Sequence, residues 1–192
     1  MPQIGRPAGT FIDIFPIEEL SISDREYARA TAREEAARRA IAGNIATTPA
    51  GLTLRSIRPD ADLDFGAVTY EQWLTPAMVA ATELAVVNNV TLDVRSVLVI
   101  YGFFCDEPNP GASELRFRQN TGGTVPLALV NVQHLRSNLV NKGILSELIA
   151  YDPQDIMNIA IMPSITDAAG QVMGFLGYVA EPKGRSFIGP TV

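Results

Sequence analysis

From Thr47 onward the chain is a succession of short β-like runs cut apart by turn signals. The runs are Leu52–Ile57, Ala67–Leu74, Leu92–Phe104, Glu114–Gln119, Val125–Val132, Leu145–Tyr151, Ile156–Met162 and Val172–Ala180. Most are separated by the segments "RPDADLDFG", "DEPNPGAS", "NTGGT", "YDPQD" and "TDAAGQ". Gly, Pro, Asn and Asp give such segments the backbone angles and local hydrogen bonds that turns require. Many short strands with this punctuation predict a sandwich or barrel, not a parallel βαβ array. Thr75–Val87 reads both ways: its Ala, Met and Glu suit a short helix, while "LAVVNNVTLDV" is strand-like.

The first 46 residues have a different texture and are set apart from a β domain over 47–192. Residues 1–20 hold Pro2, Pro7 and Pro16 with Gly5 and Gly9, which oppose a helix. They also hold Phe11, Ile12, Ile14, Phe15 and Ile17, which a solvated tail would not carry. These five are candidate partner-binding residues of an extended arm; the arm packs either on its own domain or on a neighbouring subunit. Residues 23–42 predict one α-helix, with Ser23 and Glu26 as a capping box and Gly43–Asn44 as the stop. Glu34–Arg38 and Glu35–Arg39 have the spacing of favourable helical pairs. The helix's apolar content is almost all alanine, so it suits a surface position or close packing against another element.

Few side chains are arranged for chemistry. His134 is the only histidine and Cys105 the only cysteine. A Ser-His-Asp or Cys-His arrangement would have to use His134, which lacks a nucleophile-elbow context, and a zinc site is poorly supplied. A buried thiol and a surface histidine are expected instead, with no intrachain disulfide. "TGGT" at 121–124 lacks the Lys-Ser/Thr of a phosphate loop and reads as a hairpin turn. Asp152-Pro153 opens a turn that Asp155 closes, so both aspartates have a local structural role. Asp60, Asp62, Asp64 and Glu71 fall at calcium-loop positions, but Phe65 stands where that loop needs glycine. They are weak metal candidates, and an acidic surface loop is the expectation. Trp73, the only tryptophan, reads as a core anchor.

A net charge of -6 argues against a nucleic-acid-binding face. No charged and apolar leader opens the sequence, and the apolar run Val97–Cys105 is too short to span a bilayer. A soluble protein of a reducing compartment is expected. In that setting the sequon Asn89-Val90-Thr91 would go unused.

The order "LVIYGFF", "SELRFRQNTGGTVPLALVNVQHL", "AYDPQDIMNIAIMP", "VMGFLGYVAEPKG" spans about Val97 to Gly184. In this it resembles a group of tailed-bacteriophage virion accessory proteins. The resemblance implies a jelly-roll-like antiparallel β-sandwich and a capsid decoration (cement) role without enzymatic activity or cofactor. It also implies binding to the major capsid protein or other virion proteins, assembly as a homo-oligomer with a trimer favoured, and a place on the capsid surface after synthesis in the host cytoplasm. The alternative is a glycan-binding jelly-roll module working through Asp60, Asp62, Asp64 and Trp73.

Overall fold

The computed structural model describes residues 10–64, 71–107, 111–120, 122, 125–133, 135 and 141–184. The fold is mainly β, with two sheets and one long helix. The strands are β1 (Phe11–Ile12), β2 (Ile14–Pro16), β3 (Leu52–Ser56), β4 (Trp73–Leu74), β5 (Leu84–Thr91) and β6 (Val97–Cys105). They continue with β7 (Ala112–Gln119), β8 (Val125–Asn131), β9 (Lys142–Tyr151), β10 (Ile156–Pro163) and β11 (Val172–Pro182). The long helix is α1 (Ile22–Ala42), and a single turn, α2, covers Pro59–Asp62.

Four antiparallel pairs nest inside one another: β3 with β11, β5 with β10, β6 with β9, and β7 with β8. This is one long hairpin, and β7–β10 and β6–β11 pairings roll it up. The result is sheet A, ordered β1-β8-β7-β10-β5, and sheet B, ordered β2-β9-β6-β11-β3. The eight-stranded body is therefore a jelly roll, as the sequence led us to expect. Its core is filled from both sheets: Phe117 of β7 meets Phe175 of β11 with ring centroids 5.7 Å apart, and Trp73 lies 4.8 Å from Phe175 on the other side. Trp73 is thus a core anchor.

The arm is built into the fold. β1 lies parallel to β8 at the edge of sheet A, and β2 lies antiparallel to β9 at the edge of sheet B. Six residues therefore strap one edge of both sheets together. Strand alternation sends Ile12 and Ile14 into the core, where they are 2% and 3% exposed, and leaves Phe11 and Phe15 outside.

Helix α1 begins two residues earlier than the capping pattern predicted. Ser21, not Ser23, is the N-cap and accepts from the Asp24 N–H at 3.1 Å. Both serines begin an S-x-x-acid pattern, and the Ser21 choice lets Ser23 sit inside the first turn. The predicted stop holds: Asn44 takes φ 58°, and the Ile45 N–H donates to Ala40 while the Asn44 N–H donates to Ile41. That is a Schellman closure with asparagine in the left-handed position. Of the two expected ion pairs, Glu35–Arg39 forms, but Arg38 also turns to Glu35 and bonds both its oxygens at 2.7 Å.

The alanines explain where α1 lies. Ala32, Ala36 and Ala40 share one face and are fully buried against Val97, Val99, Tyr178 and Ala180 of sheet B. The outer face of sheet B is apolar and must be covered, and methyl-sized side chains let the helix axis come close. Arg39 then reaches Asp152 in the β9–β10 turn at 2.9 Å. That turn is closed by a 3.1 Å bond from the Asp155 N–H to the Asp152 carbonyl, with the Asp155 carboxylate accepting from the Asp152 N–H. Both aspartates are accounted for structurally.

Ala36→Leu is expected to overpack this seam and to cost about 1–3 kcal/mol, read from the urea midpoint at unchanged m-value. A variant as stable as the parent would mean the helix does not seat as closely as described.

Candidate functional site

The residues that sequence reading put forward do not converge. Asp62 ends α2 and is 8% exposed; both its oxygens receive Arg55 at 2.7 Å, and one also accepts the Arg58 N–H at 2.7 Å. Arg55 further reaches Glu181 of β11 at 3.2 Å. Burial works against the Arg55 cation, but Asp62 and Glu181 outweigh it and raise its pKa. Asp60 pairs with Arg58 at 2.9 Å. Among the described residues no three His, Cys, Asp or Glu side chains are placed to hold a metal ion. The calcium spacing Asp60, Asp62, Asp64, Glu71 is therefore a pattern of sequence without a matching cluster in space. Trp73 is 2% exposed, so it offers no platform to a sugar.

Cys105 ends β6 and is buried, which pushes its thiol up to about 12. Such a thiol is protonated and inert at neutral pH. His134 lies outside the described residues, as do Thr121, Gly123 and Thr124 of the "TGGT" turn, although β7 and β8 pair as the hairpin that the turn implied. Asn89 of the sequon takes φ 54° and accepts from the Gly122 N–H at 2.8 Å, so its amide serves the fold.

One cleft stands out instead, of about 320 Å³, between the first half of α1 and the outer face of sheet B. Here the alanine seam gives way to Arg25 and Arg29 above Tyr101, Lys142 and Tyr178. A β-bulge creates the floor. β11 pairs Ile100 with Gly177 and Gly102 with Leu176, skipping Tyr101, and the β6–β9 register shifts at the same place. The extra residue keeps the Tyr101 ring outside while returning Phe103 and Cys105 to the core. Gly102 is required beside it: a Cβ there would meet the Gly143 carbonyl at 2.5 Å and Leu176 at 2.8 Å.

Tyr101 and Tyr178 stack with centroids 5.9 Å apart and planes 17° from parallel. Arg29 donates to the Tyr178 hydroxyl at 2.8 Å, and the Arg33 guanidinium lies 5.6 Å from the centre of the same ring. Burial, then the neighbouring Tyr178, pushes Tyr101 up to about 12, so it keeps its proton at neutral pH. Glu26, Glu71 and Ser56 complete the polar lining. Sequence reading did not find this site. Its faint signals were Gly102 and Gly177 inside strand-like runs, each beside a tyrosine.

No protein-family model and no curated protein matches the chain.

The outer face of sheet A carries a second electrostatic cluster. Glu83 accepts from Arg116 at 2.5 Å and from Arg118 at 2.6 and 2.8 Å. The Arg118 bond above all, opposed next by burial and then reinforced by the Arg116 bond, lowers the Glu83 carboxyl to about 2.

Two outcomes follow for measurement. Replacing Arg55 with Met leaves Asp62 and Glu181 buried without their cation and is expected to cost about 3–5 kcal/mol in urea unfolding. For Glu83, the folded carboxyl titrates below its ordinary 4.5, so its stabilisation is complete above that value and fades as pH falls toward about 2. The stability gap between the parent and Glu83→Gln should therefore be full at neutral pH and close on acidification. A gap independent of pH would contradict the ion-pair assignment.

Proposed function

We propose that the chain is a non-enzymatic structural protein of a tailed-phage virion, a capsid decoration or cement protein that binds and stabilises neighbouring capsid subunits. The observation that carries this reading is the distribution of exposed apolar side chains. Among the described residues seven large hydrophobic side chains are exposed, and four of them, Phe11, Phe15, Ile22 and Tyr27, fall within residues 11–27. Phe11 and Tyr27 are each 74% exposed and Ile22 77%. The same stretch is pinned to the sandwich through Ile12 and Ile14 and through α1. A rigidly held apolar surface loses little entropy on docking, which favours a standing contact with a neighbouring protein. Supporting it are the jelly-roll body and the family resemblance over Val97–Gly184. In this reading the outward residues contact the major capsid protein or a second copy, and a homotrimer is the favoured state.

The partner-binding role is divided among the five arm residues: Phe11 and Phe15 touch the partner, Ile12 and Ile14 hold the strap, and the half-buried Ile17 sits at the entry to α1. Phage particles purified by density gradient from the producing culture are expected to contain the chain at a fixed ratio to the major capsid protein, measured by quantitative mass spectrometry. The double variant Phe11→Ser/Phe15→Ser should fold normally and be lost from the particles. Absence of the parent chain from purified particles would sink the virion assignment. Retention of the variant at parental ratio would remove the role given to the arm.

A further inference from the structure

We propose that the cleft beneath α1 is a binding site for a small acidic sugar, a ring with several hydroxyls and one carboxylate. This goes beyond the virion reading and stands on separate residues.

The first observation is a group of cations gathered in one place. Arg38, Arg39, Arg55, Arg58, Arg116 and Arg118 are all ion-paired. Arg25, Arg29 and Lys142 make no ion pair with any described residue, yet all three line the same cleft. Arg25 donates through Nε to the Leu20 carbonyl at 3.0 Å, and Arg29 through Nε to Tyr178. Each guanidinium is therefore held by one nitrogen, with its terminal nitrogens left for a ligand. Lys142 is held with its ammonium 5.3 Å from the Phe104 ring centre. In a chain of net charge -6, three oriented cations in one cleft favour an incoming anion.

The second observation limits which anion. Glu26 and Glu71 also line the cleft. They would repel a phosphate or sulfate carrying two charges, but they accept hydrogen bonds from hydroxyls. Ser56 and the protonated Tyr101 hydroxyl add a donor each. A ligand with one carboxylate for Arg29 and Lys142, and hydroxyls for the two glutamates, matches both signs of charge in the lining.

The third observation is shape. The Tyr101–Tyr178 stack gives the cleft an aromatic floor, and the half-buried Tyr101 offers a ring for the C–H face of a sugar. The volume of about 320 Å³ is at the small end of the range for ligand pockets, the size of a monosaccharide rather than a chain of them.

The test is titration of the full chain with sodium glucuronate and N-acetylneuraminate, followed by calorimetry and by the ring resonances of Tyr101 and Tyr178. Glucose and inorganic phosphate serve as competitors of the wrong charge. At least one acidic sugar is expected to bind and to shift both tyrosines. Lys142→Met and Arg29→Met should each weaken binding about tenfold, the worth of one charge-assisted hydrogen bond. Arg95→Met, which removes a cation outside the cleft lining, should leave binding unchanged. Thermal melting checks that each variant folds, and Lys142→Met keeps the test open if loss of the Arg29–Tyr178 bond unfolds the chain. The proposal is overturned if neither acidic sugar shifts the tyrosines. It is equally overturned if phosphate or glucose binds as tightly, or if Lys142→Met binds like the parent.

Discussion

The outer face of sheet B is the constraint on which the rest depends. Val97, Val99, Ala150, Leu148 and Ala180 make it apolar, and the jelly roll supplies no second sheet to cover it. Helix α1 covers it, and can approach because its buried face is alanine. Each alanine buries little area on its own, so the seam is stabilised by closeness and by length rather than by large side chains. The ends are fixed by polar contacts: the Ser21 cap at one end, and Arg39–Asp152 with the Schellman closure at the other. The chain must also deliver the helix to that face from the far edge of the sandwich. The β1–β2 strap makes the delivery by crossing from sheet A to sheet B.

Where the alanine face ends, the helix still overhangs the sheet, and the gap becomes the cleft. Its chemistry is a by-product of the same packing. The bulge at Tyr101 holds an aromatic ring out of the core, and the arginines one and two turns before the alanine seam hang over it. Elsewhere the charged groups neutralise one another: Arg55 with Asp62 and Glu181, Glu83 with Arg116 and Arg118. In the cleft, by contrast, Arg25, Arg29 and Lys142 are oriented without an ion pair to any described residue.

Much of the body was legible because strand and turn chemistry are local. Leu52–Ile57, Glu114–Gln119, Val125–Val132 and Ile156–Met162 match β3, β7, β8 and β10 within two residues at either end. The run from Leu92 starts too early, because Asp93 forms a turn: it accepts from Arg95 and Ser96 before β6 opens at Val97. β1 and β2 were missed as strands because Pro16 and short length hide them, and their partners are far away in the chain. The acidic surface loop expected at Asp60–Glu71 holds a buried Asp62 for a related reason. Which carboxylates meet a cation depends on β3 and β11 coming together at Arg55 and Glu181, and no local pattern encodes that. The cleft was illegible on the same grounds, since its lining is drawn from α1, β3, β6, β9 and β11.

The strap also sets an order of events for folding. Phe11 pairs with Leu129, a separation of 118 residues (129 minus 11). During synthesis the arm emerges long before β8 and β9 exist, and its isoleucines have nowhere to go. Closure of such a distant contact comes late and slowly. Until then the growing chain exposes a short, sticky segment, and the edges of both sheets lack their last strand. A nascent chain of this kind is most vulnerable to association with its neighbours on the same messenger. In this protein, therefore, the pairing of the arm with β8 and β9 is also the step that takes its isoleucines out of water.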